Sequence, residues 1–203
     1  VWLASNGGGI GTYWGNVRSI GEKVGQNGQT SGIIPFIRVM DSLTLAISQG
    51  SLRRGSAACY LDCHHPEIEE FLEIRKASGD FNRKSLNLHH GINITDDFME
   101  AVRNDEDYGL VSPKSGEVLR TINARKLWQK ILELRMQTGE PYLLFTDTVN
   151  NSMPAHQRKL GLKVTQSNLC SEITLPTGVD HRGQDRTAVC CLSSVNAEKF
   201  MEW

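Results

Sequence analysis

The sequence lacks any long apolar run, and it lacks an excess of charge of either sign. No uninterrupted apolar stretch of about 18 residues occurs in the 203-residue chain, so no membrane-spanning helix is expected. Lysine and arginine number 22 against 23 aspartates and glutamates, and the net charge is −1. This balance provides no broad basic surface, so neither a nucleic acid nor a membrane is an expected partner.

Cysteine is scarce and irregularly spaced. Its five copies form an odd number without the spacing of a disulfide framework, which suits a reducing compartment. No signal peptide opens the sequence, so we expect a cytoplasmic protein. The runs Cys63-His64-His65 and His89-His90 lack the spacing of a structural zinc site, and no bound metal is predicted.

One short segment places three chemically active side chains at alternate positions: Asn168, Cys170 and Glu172. In an extended backbone alternate side chains point to the same side, so the pattern predicts that all three face one reaction centre. An amide can hydrogen-bond a substrate, a thiol can give up a hydrogen atom, and a glutamate accepts a proton near neutral pH. Taken singly, however, a cysteine in a cytosolic protein is usually a small buried hydrophobe.

A second thiol pair, Cys190-Cys191, follows in residues 187–192, which read as a strand. Successive strand residues point to opposite faces, so only one of these two thiols is expected to enter a site.

Three glycine-rich segments precede these thiols. The first, residues 5–15, contains Gly8 and Gly9. Considered alone, these glycines are typical of a tight turn. The second, Gly25–Gly32, follows Arg18. The third, residues 48–55, is a polar loop with Gln49, Arg53 and Arg54. Considered alone, these arginines are typical of a solvated surface.

The remaining pattern predicts helices alternating with strands. Apolar spacing predicts helices at residues 33–48, 67–76, 95–102 and 124–137, and strands at 56–61, 86–94, 142–145 and 187–192. Residues 104–116 and 147–160 read as polar connections, and Gly50 as the C-cap of the first helix. Strands separated by helices favour an α/β fold with a parallel sheet.

These motifs together resemble the large catalytic subunit of ribonucleotide reductase, and the similarity covers nearly the whole chain. It rests on residues 168–172, 187–194, 48–55, 25–32, 86–94 and 138–142, in this family's order and spacing. The resemblance implies part of a ten-stranded α/β barrel built from two five-stranded halves. This chain would supply most of the first half and the approach to the loop that carries the radical cysteine.

The resemblance also implies roles for individual residues. Cys170 would become a thiyl radical that abstracts the 3′ hydrogen of a ribonucleotide, and Glu172 would take the 3′-hydroxyl proton. Asn168 would hold the sugar hydroxyls, and the backbone of Gly8 and Gly9 would approach the substrate. Cys190 matches one member of the thiol pair that reduces the sugar, with Cys191 as the alternative.

Regulation and partners are implied in the same way. The loops at about 18–32 and 48–55 would bind dNTP or ATP effectors and couple them to the substrate, through Arg18, Gln49, Arg53 and Arg54. The chain itself would bind no cofactor. A small subunit with a dimetal centre would supply the radical, adenosylcobalamin being the less favoured source. Further partners would be the rest of the large subunit and a second large subunit in a homodimer.

Two alternatives and one restriction accompany this interpretation. The chain could be a nucleotide-sensing and dimerisation remnant without chemistry, although an intact Asn-x-Cys-x-Glu triad argues against that. A glycyl-radical enzyme shares thiyl chemistry but lacks the pair of effector loops. The sequence opens at Val1 without a start methionine, and the family's second reducing thiol, tyrosine pair and tail thiols are absent from it. We therefore expect a central piece of a larger or split subunit, inactive by itself.

Overall fold

A computed structural model describes residues 1–49 and 53–202, and a four-stranded parallel sheet forms its centre. The strands are β1 (Ile10–Tyr13), β2 (Ser48–Gln49), β3 (Arg53–Arg54), β4 (Ala57–Asp62), β5 (His89–Ile94), β6 (Asp107–Val111), β7 (Val118–Asn123), β8 (Tyr142–Phe145), β9 (Gly178–Val179) and β10 (Asp185–Arg186). The central sheet has the order β1-β4-β5-β8, and all three of its pairings are parallel.

Helices fill the connections between these strands. They are α1 (Trp2–Ser5), α2 (Ile34–Ala46), α3 (Ile68–Leu72), α4 (Asp96–Asn104), α5 (Ala124–Thr138), α6 (Thr146–Asn151) and α7 (Ala155–Lys159). Short 3-10 helices cover Phe81–Arg83 and Ala197–Lys199. Among the described residues, no helix is both long and apolar enough to cross a membrane.

The two faces of the central sheet have different neighbours because strand side chains alternate. On β4, Cys59 and Leu61 belong to the main core with the helices. Ala58 and Tyr60 belong instead to a second, smaller cluster on the opposite face, together with Leu144 of β8. The partly buried Leu169 packs against this second cluster, so the segment around residue 169 lies on that face.

Capping residues mark observed ends of the predicted helices α4 and α5. Asn123 accepts a hydrogen bond from the Lys126 backbone N–H at 2.9 Å, and Gly139 ends α5 with a φ of 80°. Thr95 caps α4 by accepting from the Phe98 N–H at 3.3 Å. These caps confirm the two predicted helices to within a few residues, and the strands β4, β5 and β8 are confirmed as well.

Several local predictions differ from the structure. Residues 104–116 are not a plain connection, since they contain β6, which pairs with β7 in an antiparallel hairpin. Residues 147–160 carry most of α6 and all of α7, and the helix predicted at 67–76 is limited to Ile68–Leu72. The segment 187–192 forms no strand. Residues 48–55 contain the short β2–β3 pair, and the predicted C-cap at Gly50 lies outside the described residues.

The predicted fold class is nevertheless confirmed. An open parallel sheet of four strands, with helices in the connections, is a mixed α/β structure consistent with part of an α/β barrel. The face of the sheet around Tyr60 positions the candidate site.

Candidate active site

The segment of Asn168, Cys170 and Glu172 is a turn, so the predicted extended backbone is wrong. Leu169 and Cys170 form the turn, and Ser171 adopts a φ of 75°, in the left-handed region that residues other than glycine rarely occupy. Alternation of side chains along a strand therefore does not explain how the three groups are arranged.

The turn brings the amide and the carboxylate together by another route. Asn168 Nδ2 donates a hydrogen bond to Glu172 Oε1 at 3.0 Å, across the tip of the turn. The Ser167 hydroxyl donates to the Ile173 carbonyl at 2.9 Å and closes the base. Cys170 lies at the tip, exposed and unbonded to another cysteine. The turn thus carries a free, exposed thiol two residues from an amide and from a carboxylate that contact each other.

Buried side chains of the sheet hold this turn by its main chain. Tyr60, fully buried on β4, donates its hydroxyl hydrogen to the Asn168 carbonyl at 2.8 Å. Asn93, at the end of β5, donates to the Thr165 carbonyl at 2.7 Å and to Asp62 Oδ1 at 2.8 Å. Asp62 also accepts a hydrogen bond from the Tyr13 hydroxyl. The position of the turn is therefore set by three neighbouring strands.

Two glycines allow the turn to lie directly on β1. A Cβ atom added to Gly11 would collide with the Ser167 carbonyl oxygen. One added to Gly9 would lie 2.7 Å from Leu169 Cδ2, closer than real contacts of this kind. Glycine is needed at Gly11 because the backbone of Ser167 passes over it, and at Gly9 because the Leu169 side chain packs there.

A small cavity joins three of the segments singled out from the sequence. Its volume is about 60 Å³, and Gly8, Gly9, Arg54, Ser56 and Leu169 are among its lining residues. The predicted substrate-binding backbone and one predicted effector arginine thus lie beside the turn of Cys170.

The sequence did not point to a second polar cluster on the sheet. The Glu140 carboxylate accepts hydrogen bonds from His89 Nδ1 and, at 2.8 Å, from His90 Nδ1, and Arg75 Nε lies 3.6 Å away. Burial opposes ionisation, but these hydrogen bonds and charges hold the pKa of Glu140 at about 2. The His89 ring stacks against that of Tyr142, with centroids 6.1 Å apart.

Tyr142 connects this cluster to the turn. Burial first, and then the charge of Glu140, raises the pKa of Tyr142, with smaller contributions from Cys170 and Glu172. The alternation along β4, β5 and β8 was the available signal for these residues, since it places Tyr60, Asn93 and Tyr142 on one face.

The predicted site residues that remain lie outside this turn. Cys190 and Cys191 are both exposed in the irregular segment after β10, and Arg18 is half-buried after β1. Gln49 pairs with Arg53 in the β2–β3 ladder. Their predicted roles stay predictions.

The described side chains form no metal centre. Within residues 1–49 and 53–202, no cluster of three or more His, Cys, Asp and Glu side chains is arranged to hold an ion.

Comparisons with known proteins agree with the motifs. The family model described as "Ribonucleotide reductase, barrel domain" matches residues 1–203. A putative ribonucleoside-diphosphate reductase large subunit of Frog virus 3 is 51% identical, over 100% of this chain and 34% of the relative. The large subunit of Invertebrate iridescent virus 3 is 36% identical, over 99% of the chain and 39% of the relative.

A cellular relative is similar at greater distance. The ribonucleoside-diphosphate reductase large subunit of Arabidopsis thaliana is 31% identical, over 98% of the chain and 26% of its own length. The chain thus spans between about a quarter and two fifths of these three relatives.

Proposed function

The chain belongs to the ribonucleotide reductase barrel-domain family, and from that membership we propose that it is a central catalytic part of a ribonucleoside-diphosphate reductase large subunit. The observation that carries the proposal is the turn at residues 168–172. The turn carries an exposed thiol two residues from an amide and a carboxylate that are hydrogen-bonded at 3.0 Å, and the neighbouring Leu169 lines a cavity. The diphosphate form of the substrate is the one named for the viral and plant relatives.

Each group of the turn has one task in the proposed reaction. A thiyl radical at Cys170 abstracts the 3′ hydrogen atom of the ribose, leaving a carbon radical at C3′. Glu172 takes the proton of the 3′ hydroxyl and passes it to the 2′ hydroxyl, which leaves as water. Asn168 holds the hydroxyls so that the hydrogen, the thiol and the carboxylate stay aligned.

The sugar then needs two electrons and two protons, which a thiol pair supplies as it closes to a disulfide. Cys190 is one member, with Cys191 as its alternative, and the other member belongs to the rest of the subunit. Cys170 finally returns its hydrogen atom to C3′ and becomes a thiyl again. A dimetal small subunit supplies the first radical, and adenosylcobalamin is the less favoured source.

Substitution of the three exposed thiols tests this proposal. In a large subunit that contains this chain, assayed with its small subunit, Cys170→Ser should abolish deoxynucleotide formation, because an O–H bond is much harder to break homolytically. Cys190→Ser should also abolish turnover, and Cys191→Ser should retain it. Wild-type turnover by Cys170→Ser would contradict the mechanism. The 203-residue chain alone is expected to form no deoxynucleotide.

Effector binding belongs to the same proposal. Arg18, Gln49, Arg53 and Arg54 would meet dNTP or ATP effectors, and the loop at 48–55 would couple them to the substrate. The support is that Arg54 lines the cavity at Gly8, Gly9 and Leu169. Arg54→Ala should therefore change the preference among ribonucleotide substrates when dNTPs are titrated. An unchanged preference would contradict the coupling.

A homodimer of large subunits is also proposed, and the surface of α2 supports it. Phe36, Val39 and Leu43 lie on one helical face with exposed fractions of 53%, 65% and 38%. Apolar side chains arranged in this way favour a partner surface. Val39→Glu should shift the subunit towards monomer in sedimentation measurements, and an unchanged dimer would exclude this face.

A further inference from the structure

The loop that carries Arg18 is a small hairpin with a defined base. Gly21 N–H donates to the Thr30 carbonyl, and Thr30 N–H donates to the Glu22 carbonyl, both at 2.9 Å. Beyond these bonds, Val24 N–H donates to the Gly28 carbonyl at 2.8 Å near an exposed tip. We refer to residues 17–33 as the Arg18 hairpin.

A buried carboxylate holds both ends of the Arg18 hairpin. Glu67 is 4% exposed and follows β4 in the chain. Its Oε2 accepts from the Ile20 N–H and from the Ile33 N–H, each at 3.0 Å. One carboxylate therefore joins the segment that follows β1 to the residue that precedes α2.

A buried histidine adds a third attachment. His65 is 1% exposed, and its Nδ1 accepts from the Glu67 backbone N–H at 3.1 Å. Burial lowers the pKa of His65, so the ring is neutral and its proton resides on Nε2. Nε2 consequently donates to the Val17 carbonyl at 3.0 Å. His65 thus has a fixed tautomer, with one nitrogen on Glu67 and the other on the hairpin.

Two further features fit the hairpin to this carboxylate. Gly32 has a φ of 85°, and a Cβ there would collide with the Glu67 carboxylate. Arg83 lies 3.8 Å from Glu67 Oε1 and donates to the Ser31 carbonyl at 3.2 Å. The charge of Arg83 offsets part of the cost of burying Glu67.

We propose that His65 and Glu67 are positioning residues that fix the base of the Arg18 hairpin and so orient Arg18 towards the phosphates of an effector nucleotide. Arg18 lies between Val17 and Ile20, the two residues anchored by His65 and Glu67. The inference rests on the proposed effector role of Arg18. It adds that residues outside both effector loops determine how tightly an effector binds.

The histidine can be tested by substitutions that keep one nitrogen at a time. Asparagine places an oxygen near Nδ1 and keeps the acceptor for Glu67 N–H, whereas glutamine places an N–H near Nε2 and keeps the donor to Val17. His65→Asn should raise amide exchange in residues 17–21, and His65→Gln should raise it less. Equal exchange in both variants and the wild type would overturn the role of His65.

The carboxylate is tested with a matched control two residues away. Glu69 pairs with Arg120 at the surface at 2.8 Å, outside the hairpin. Glu67→Gln should accelerate exchange of the Ile20 and Ile33 amides and weaken dTTP and dATP binding to the large subunit by about tenfold, since it removes a buried charge that accepts both bonds. Glu69→Gln should change neither quantity.

The readouts separate this inference from the proposed function. Unchanged exchange and unchanged nucleotide affinity in Glu67→Gln would overturn the inference. Faster exchange with unchanged affinity would also overturn it, because the hairpin base would then not position Arg18. A wild-type subunit that binds neither dTTP nor dATP would instead overturn the effector part of the proposed function.

Discussion

Cys59 and Cys63 lie in the body of the molecule (described residues up to 167), whereas Cys170, Cys190 and Cys191 lie in the terminal segment (residues 168–202). Burial raises the pKa of Cys59 to about 12 and that of Cys63 to about 11, so both stay protonated and unreactive. The three later thiols are exposed, and after Ser167 no described residue is buried. The same residue type is a packing element in one region and chemically available in the other.

The difference shows which physical forces define each region. The body contains every fully buried side chain of the described residues. The terminal segment begins with a turn held by hydrogen bonds to its main chain from Tyr60 and, just before it, from Asn93. Packing therefore specifies the body, and a few directed bonds specify the place of Cys170.

Thiol reactivity gives the largest expected contrast. With a thiol reagent under native conditions, the three exposed cysteines should react quickly and the two buried ones only after opening of the structure. The rates should differ by a factor of about 1,000 or more, because exposure of a core group requires most of the unfolding free energy. Mass spectrometry of the labelled peptides should assign the slow pair to Cys59 and Cys63. Fast labelling of Cys59 or Cys63 would show that the buried and exposed thiols do not differ in reactivity.

Matched phenylalanines measure the same contrast as stability. Phe71 is fully buried and contacts the ring of His90, whereas Phe200 is 62% exposed. Phe71→Ala should lower the free energy of unfolding by about 3–5 kcal/mol, and Phe200→Ala by less than about 0.5 kcal/mol. Urea unfolding would measure both. Similar losses in the two variants would show that the terminal segment has a core of its own.

Acid should weaken the body through Glu140. Its folded-state pKa of about 2 lies below its ordinary value of 4.5, so its contribution is fully present above pH 4.5 and is lost as the pH falls towards 2. The contribution is at most about 3 kcal/mol. Between about pH 6 and pH 2, the free energy of unfolding should fall less for Glu140→Gln than for the wild type. An equal fall in the free energy of unfolding with pH in the wild type and the variant would contradict this.

The tether of the turn should have the smallest effect on stability and a specific effect on Cys170. Tyr60→Phe removes one hydrogen bond to the Asn168 carbonyl, and should cost about 1 kcal/mol. It should also change the labelling rate of Cys170 but not of Cys190. Tyr108→Phe, on the opposite face near Cys63 and Thr95, is the control. An unaltered rate at Cys170 would show that the turn is held by other contacts.

The body was largely predictable from its sequence because local signals and tertiary packing agree there. Asn123 and Gly139 bound α5 in the chain and in space. The β6–β7 hairpin was missed because its strands are short and largely exposed, with Arg120 fixed by Glu69 rather than by an apolar alternation. Pairing between two such strands is a tertiary property that periodicity does not reveal.

The sequence indicated that the side chains of Asn168 and Glu172 lie close together, but it did not predict the conformation of their segment. The spacing of Asn168 and Glu172 indicated that they act together, and they do touch. The extended backbone was wrong because Ser171 takes a left-handed φ, which sequence favours only weakly outside glycine and asparagine. The prediction of a strand at 187–192 was wrong because no described strand pairs with this segment.

The proposed mechanism depends on hydrogen abstraction by Cys170, and a ribonucleotide deuterated at C3′ measures that step. A large subunit containing this chain, assayed with its small subunit, should reduce the deuterated substrate more slowly than the unlabelled one, and Cys170→Ser should reduce neither. Equal rates for the two substrates together with turnover by Cys170→Ser would contradict the account.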